Sequence, residues 1–415
     1  MQNSAHTIRW INQISSGDWD IHLFPINDIP VHPDLRNVTI HQPWFVLRRS
    51  MLQDILRHPH LAVKGWPGLK RILRQDTSPV ETIYPFPVLP RFNPYTYLAK
   101  PIPPGEAGVS VAADRGPETL VKLILKLKPD LIHSLEFQHC GYNVLRAKEL
   151  MGDGFPLWLA TNWGSDIYYY RQFDNHRSQI TRLLRNADYY SCECQRDVGL
   201  AKELGFAGTI MPVMPNGGGF DLKVAGHWRN VRPASRRKLI LVKGYQSFAG
   251  RALTALDAIE MCAEELRGFK IIVYSASPAV RARVHELLLS TELDMAVLDH
   301  VVHDTMLRMF ARARVYLGVS LSDGISTSML EAMAMGAFPI QTNTSCCNEW
   351  IKDGESGFEI SAEDVLLIAD RLRAAATDDG LVDRAAEINW ITAQQQLDQS
   401  SLQQKALGFY KEIFA

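Results

Sequence analysis

The sequence has no run of roughly 18 to 20 apolar residues that could span a bilayer. Its opening, Met1 to Ile14, lacks the basic-then-apolar layout of a signal peptide, so a cytoplasmic protein is expected. It also lacks charge of one sign. The 44 Lys and Arg balance 45 Asp and Glu, which removes any general attraction to nucleic acid and leaves only local charged surfaces. Six cysteines, at 140, 192, 194, 262, 346 and 347, show neither the CxxC spacing of a zinc site nor the density of a disulfide scaffold. They read as small buried hydrophobes, with a reactive or metal-binding role for Cys346 and Cys347 as the alternative, and neither a metal site nor a bound cofactor is expected.

What is present is an ordinary globular composition, 46% hydrophobic over 415 residues, which is too long for one core and suggests two domains of about 200 residues. From Leu120 onward, short β-branched or aromatic runs alternate with helical patterns. Expected strands are Asp130–Phe137, Leu157–Thr161, Tyr189–Cys192 and Thr209–Val213. After a basic, proline-containing stretch, 228–238, the rhythm restarts at Leu239–Lys243, Lys270–Tyr274, Ala296–Leu298, Val315–Ser320, Phe338–Thr342 and Gly357–Ile360. Such alternation implies parallel βαβ units in an α/β protein.

The division expected is 1–220, 221–388 and a helical end, 389–415, that crosses back to the first domain. Pro215-Asn216-Gly217-Gly218-Gly219 at the first junction offers the φ freedom of a hinge, a ligand-approaching turn or a plain interdomain turn. At the start, His6 to Ile11 already looks helical and Asp20–Ile26 looks like a second strand, so either the first strand of a doubly wound sheet lies upstream of this sequence or the N-terminal sheet is incomplete.

Two stretches are unusual. Residues 79–104 carry eight prolines interleaved with Tyr84, Phe86, Phe92, Tyr95 and Tyr97, which excludes a regular helix or central strand and leaves a binding loop or a covering loop. Residues 44–74 set Arg48, Arg49, Arg57, Lys64, Lys70, Arg71 and Arg74 against the single acid Asp54, with Trp44, Phe45 and Trp66 among them. That composition suits peripheral contact with an anionic membrane or a lipid diphosphate, or else a solvated helical face.

The chemistry concentrates after Val315. A buried strand leads to a tight Ser322-Asp323-Gly324 turn, and a helix follows from about Ser326 to Met335, ended by Gly336. A helix start at the C-terminal edge of a parallel sheet offers free amides and a positive dipole end to a phosphate. Glu331, one turn inside, is within reach of a ribose diol. Ser328 to Glu331 also fits a capping box, in which Glu331 only satisfies a backbone N–H.

Asp323, then Glu331 after seven intervening residues, and Ala332-Met333-Ala334-Met335-Gly336-Ala337-Phe338-Pro339-Ile340 together resemble the signature of retaining glycosyltransferases of family 4. Glu349-Trp350-Ile351-Lys352-Asp353-Gly354 to Gly357 is similar to a second segment of that family. The likeness runs from about Asp130 to Leu372. It implies the GT-B fold, two Rossmann-like domains facing each other across a cleft with a C-terminal helix packing back across them. It also implies metal-independent transfer of a sugar from a nucleotide-diphosphate sugar to a glycan or lipid-linked glycan, with retention, as in bacterial surface polysaccharide synthesis.

By the same resemblance Glu331 holds the donor ribose, and the amides of Gly324, Ile325, Ser326 and Thr327 contact phosphate or sugar. Lys243 and Arg251, after the first strand of the second half, hold the diphosphate in place of a metal, and Asp323 faces the donor sugar. Asp323 is shorter than the usual Glu. In Ala160-Thr161-Asn162-Trp163-Gly164-Ser165-Asp166, Trp163 stands where many members have His, with Gly164 and Asp166 on the sugar or acceptor side. His133 and His139 are the candidates to compensate, each also readable as a structural histidine. Competing readings are a non-catalytic nucleotide-sugar or glycan-binding protein of the same fold and a sugar-nucleotide epimerase.

Overall fold

In the computed structural model, residues 4–26, 34–43, 109–113, 116–229, 231–299 and 301–415 are described. The basic stretch at 44–74 and the proline-rich stretch at 79–104 lie outside them. The chain divides into two compact units, Met1–Ile132 with His139–Pro156, and His133–Gln138 with Leu157–Ala415.

The smaller unit contains α1 (Ala5–Ile14), β1 (His22–Leu23), β2 (Thr39–Pro43), β3 (Val109–Ala113), α2 (Pro117–Leu127) and α3 (Tyr142–Met151). Its strands form a parallel sheet of order β1-β2-β3. Ile8 and Ile11 of α1 are buried with Leu35, Val38 and Ile40, the helical spacing meeting the alternating one. As expected from the sequence, a helix precedes the first described strand.

The larger unit holds two further parallel sheets. The first, β4 (Leu131–Leu135, from His133 onward), β5 (Leu157–Thr161), β6 (Tyr189–Ser191) and β7 (Thr209–Ile210), runs in that order, with α4 (Asp174–Asn186) and α5 (Gln195–Glu203) in its connections. The second comprises β8 (Leu239–Lys243), β9 (Lys270–Tyr274), β10 (Asp294–Leu298), β11 (Val315–Gly318), β12 (Phe338–Thr342) and β13 (Phe358–Ile360), in the order β10-β9-β8-β11-β12-β13. Numbered along the chain this is 3-2-1-4-5-6, the doubly wound order, whose direction reverses between β8 and β11. Its other helices are α6 (Leu222–Arg229), α7 (Ala252–Met261), α8 (Pro278–Ser290), α9 (His303–Phe310), α10 (Thr327–Met335), α11 (Val365–Thr377), α12 (Asp379–Gln396) and α13 (Gln399–Ile413).

The strand runs are continuously apolar because both faces are covered. Ile240, Val242, Val315 and Leu317 pack in a cluster with α7, α8 and α11, whereas the alternate residues Leu241 and Tyr316 pack with α9 and α10. All six are fully buried. Helix α10 ends at Gly336 with φ 75°, the left-handed position expected for it.

The Pro215–Gly219 turn has a local reason for its glycines. Gly218 and Gly219 both adopt positive φ, and a Cβ on Gly219 would lie 2.5 Å from the Leu397 carbonyl. There the chain meets the break between α12 and α13, where Phe220 N–H donates to Leu397 O and Gln399 N–H to Phe220 O. Asp398 caps α13 by accepting from Ser401 N–H at 2.9 Å. The terminal helical region, read from the sequence as one segment, is thus two helices.

Candidate functional site at the sheet switch point

Ligands of open α/β sheets bind beyond the carboxyl ends of the strands where the order reverses. Here those ends are Lys243 of β8 and the segment after Gly318 of β11. They are brought together: Lys243 Nζ lies 3.8 Å from Asp323 Oδ2, both side chains partly buried. Burial works against the Lys243 ammonium, but the negative field of Asp323, with smaller contributions from Tyr316, Tyr245 and Glu331, outweighs it and raises the Lys243 pKa. Gly244 follows because a Cβ there would lie 2.8 Å from both Ala276 Cα and Tyr274 O.

Helix α10 starts at this edge. Its N-cap residue, Ser326, makes no side-chain cap; its Oγ lies 3.2 Å from the buried Tyr316 hydroxyl instead. Of the four amides expected to meet a donor, Gly324 N–H donates to its neighbour's Asp323 Oδ1 at 3.0 Å, and Ile325 N–H donates to the Glu193 carboxylate. Two amides suited to a ligand's oxygens therefore face carboxylates in this structure.

Glu331 does not form the capping box. Ser328 sits inside the helix, and the buried Glu331 carboxylate lies 2.6 Å from His303 Nε2, at the start of α9. His303 escaped the sequence reading. Its signal was position alone, a few residues beyond β10 at the same edge of the sheet. Arg251 sits differently from Lys243: its Nη1 donates to the carbonyls of Ser247 and Gly250 at 3.0 and 2.9 Å, so the guanidinium braces the 245–251 loop.

The Trp163–Asp166 segment reaches the same place. Gly164 has φ 32°, and a Cβ on it would lie 3.1 Å from Asp323 Oδ1 and 3.4 Å from Gly324 N. A Cβ on Gly324 would in turn lie 3.0 Å from Glu193 Oε2 and 3.3 Å from Gly164 Cα. Two glycines thus let two turns touch through backbone. Asp166, suggested from the sequence as a direct contact for sugar or acceptor, is buried, and its Oδ2 accepts from Trp163 N–H at 2.7 Å and Phe137 N–H at 2.9 Å. Burial, then the charge of Glu136, holds its pKa well above the usual carboxylate range. Its visible work is to shape the turn that carries Trp163.

His133 is a structural histidine. Its Nδ1 lies 2.8 Å from the Tyr410 hydroxyl of α13 and its Nε2 2.7 Å from Thr161 Oγ1, and desolvation pulls its pKa down to about 3. His139 is exposed on the helical turn Phe137–Gly141.

Two more residues hold this edge of the sheet. Arg196, second in α5, donates from Nη2 to Asp323 O at 2.9 Å, from Nη1 to Thr344 O at 2.7 Å and from Nε to Asp197 Oδ1 at 2.9 Å, and its guanidinium covers the Tyr168 ring. Glu349, the first residue of the second family-like segment, caps α5 by accepting from Gln195 N–H at 2.9 Å.

Among the described residues one trio, Cys194, Cys346 and Glu349, has potential ligand atoms within 4.8 Å of one another, a proximity that the cysteine spacing did not reveal. Glu349 is committed to the α5 amides. The Cys194 pKa is pushed up by a hydrogen bond with Cys346 and by burial.

Glu193 gives a pH prediction. Desolvation raises its pKa to about 8, against the lowering effect of the Asn216 amide, whose N–H it accepts at 2.9 Å. The folded state then binds a proton that the unfolded state has lost, so the stabilising contribution is complete below about pH 4.3 and disappears as pH rises through about 8. Denaturant unfolding should show stability falling between those limits, by about 1 kcal/mol per pH unit. Glu193→Gln should flatten the slope, and an unchanged slope in the variant would assign the effect elsewhere.

Residues 239–378, which include β8 to β13 and helix α10, match the family described as Glycosyl transferases group 1. Similar solved structures include sucrose-phosphate synthase from Thermosynechococcus elongatus, 16% identical, covering 74% of this chain and 83% of that one at TM-score 0.59. Anabaena HepE in complex with UDP and glucose is 16% identical, covering 71% and 81%, at TM-score 0.56. The UDP-forming α,α-trehalose-phosphate synthase of Burkholderia xenovorans is 12% identical, covering 72% and 78%, at TM-score 0.58. The fold is GT-B. No curated protein sequence matches the chain.

Proposed function

We propose that this protein is a glycosyltransferase that takes its sugar from a nucleotide-diphosphate sugar, with UDP-sugars as the first donors to test. The observation that carries the reading is the pairing of Lys243 with Asp323 at the switch point, beside an α10 start whose N-cap residue, Ser326, makes no side-chain cap. A diphosphate placed there would meet one ammonium and the first amides of a helix, both favouring negative charge. Support for UDP comes from similar structures described with UDP and glucose, and with UDP-glucose.

In this reading Lys243 stabilises charge gathering on the diphosphate as the glycosidic bond breaks. Glu331, held by His303, accepts hydrogen bonds from the ribose hydroxyls, and Asp323 faces the donor sugar. Arg251 contributes through the loop it braces. Metal independence, retention of anomeric configuration, a glycan or lipid-linked glycan acceptor and a role in surface polysaccharide synthesis belong to the proposal through the resemblance to family 4. Peripheral contact with an anionic membrane through 44–74 is proposed on composition alone. No helix among the described residues is long and apolar enough to cross a membrane.

The test is a thermal-shift series with UDP-glucose, UDP-N-acetylglucosamine and GDP-mannose in EDTA, followed by product analysis. At a hundred times its dissociation constant a donor should stabilise the protein by about 2.7 kcal/mol. Glu331→Gln should remove most of that shift while the ligand-free melting temperature barely moves. Asp323→Asn should keep the shift and lose rate, the mark of a contact strengthened in the transition state. A donor shift that requires manganese or magnesium, or wild-type turnover in both variants, would overturn the assignment.

A further inference from the structure

The turn at Gly164 does not stop at the donor edge. It continues into Tyr168-Tyr169-Tyr170, and Ser165 O accepts from both Tyr169 N–H and Tyr170 N–H, at 3.1 and 3.2 Å. A 3-10 turn, Tyr170–Gln172, then delivers Phe173. From the other side, the loop that leaves Lys243 and is braced by Arg251 presents Phe248. The rings meet. Tyr169 and Phe248 have centroids 5.0 Å apart, Tyr169 and Phe173 5.3 Å, and Tyr170 and Phe248 6.0 Å, all tilted or edge-on. His176 lies 4.8 Å from the Tyr170 ring. Phe173 is 44% exposed and Phe248 50%, so the cluster is a surface rather than a core.

Large exposed aromatics joined into one patch usually mark a binding surface. Its chemistry narrows the partner. The flanking charges are few: Arg171 and Asp174 lie between Tyr168 and His176, and of the cations that border the two segments, Arg177 and Arg251, the second is turned onto the Ser247 and Gly250 carbonyls, so the patch is not the dense cationic cluster that holds an anionic membrane. Tyr169, Tyr170 and His176 bring hydrogen-bonding groups into the same cluster as apolar ring faces. That combination matches a pyranose, which offers C–H bonds on one face and hydroxyls at its rim.

We infer that Tyr169, Tyr170, Phe173 and Phe248 form a stacking platform for a sugar ring of a glycan acceptor, continuous with the donor edge. The inference rests on the transferase reading and names its acceptor class. Both chain segments that build the platform start at donor-edge residues, Gly164 and Lys243. A saccharide lying on the rings is therefore adjacent to the donor edge, and the Arg251 brace sets the height of Phe248.

The experiment is a calorimetric titration of wild type and Phe173→Ala/Phe248→Ala with maltohexaose, cellohexaose and chitohexaose. Alongside it run the UDP-glucose thermal shift and a flotation assay with phosphatidylglycerol–phosphatidylethanolamine vesicles. Wild type should bind at least one hexasaccharide, the double variant about tenfold more weakly, and Phe173→Tyr/Phe248→Tyr should restore it. The UDP-glucose shift should be the same in all three proteins. No hexasaccharide binding to wild type, equal binding by the Ala variant, or a patch-dependent affinity for vesicles instead of saccharides would each overturn the platform. Loss of the UDP-glucose shift in wild type, with saccharide binding intact, would count against the donor reading alone.

Discussion

Removing the Lys243 ammonium, as Lys243→Ala, lowers kcat with a UDP-sugar donor by about 10²–10³, equivalent to about 2.7–4 kcal/mol of lost transition-state stabilisation. The size follows from where the charge stands. Lys243 ends the central strand of the 3-2-1-4-5-6 sheet, is partly screened from water, and faces one acid, Asp323, at 3.8 Å. Its raised pKa fixes the sign of the pH dependence. The contribution is complete below the ordinary lysine value of about 10.4 and is lost only as pH rises through the higher folded value. The deficit of the variant should therefore be constant from pH 6 to 9. Lys243→Arg should recover part of it, since the charge returns in a larger, planar form. A kcat for Lys243→Ala within about threefold of wild type, or a deficit confined to KM, would remove Lys243 from the transition state.

The strand–turn–helix edge around Asp323 was legible in the sequence to the extent that one chain segment builds it. The strand–turn–helix from Val315 to Gly336 shows a buried run, a turn, a helical face and a left-handed terminator in order, and the structure reproduces it. The strands at Leu157–Thr161, Leu239–Lys243, Lys270–Tyr274 and Phe338–Thr342 fall where the alternation of patterns put them, because fully covered strands leave an unbroken apolar run. Side-chain partners across sequence distance were not legible. Ser328 and Glu331 have capping-box spacing, yet the helix starts two residues earlier than that motif needs, and Glu331 turns to His303. Arg251 reads as a diphosphate cation by position, and only the folded loop shows its Nη1 on local carbonyls. Cys194, Cys346 and Glu349 are separated by up to 155 residues and come within 4.8 Å because Glu349 caps the helix that Cys194 precedes.

Arg196 shows what a physical reading of the sequence could have found. A cation in the first turn of a helix opposes the macrodipole, so its presence there calls for compensating partners. Those partners are Asp197, only 1% exposed, the carbonyls of Asp323 and Thr344, and the face of Tyr168. Arg196→Ala therefore removes one side of a buried ion pair and leaves the Asp197 carboxylate with Asn162 Nδ2 at 2.8 Å among its remaining partners. The expected cost is about 3 kcal/mol of stability, because the stranded charge stays buried. In a unit of this size that lowers the melting temperature by roughly 6–12 °C. Function should fall as well, since the guanidinium is what ties the Asp323 backbone to α5. The kinetic loss should appear in kcat measured well below the melting temperature, where the variant is fully folded. Arg196→Lys separates the two effects: it keeps a charge for Asp197 but cannot reach both carbonyls in the fixed fork geometry, so stability should recover more than rate. A variant that melts like wild type would show that Asp197 is satisfied without Arg196. One that is destabilised yet turns over normally would show that the donor edge holds its geometry without this brace.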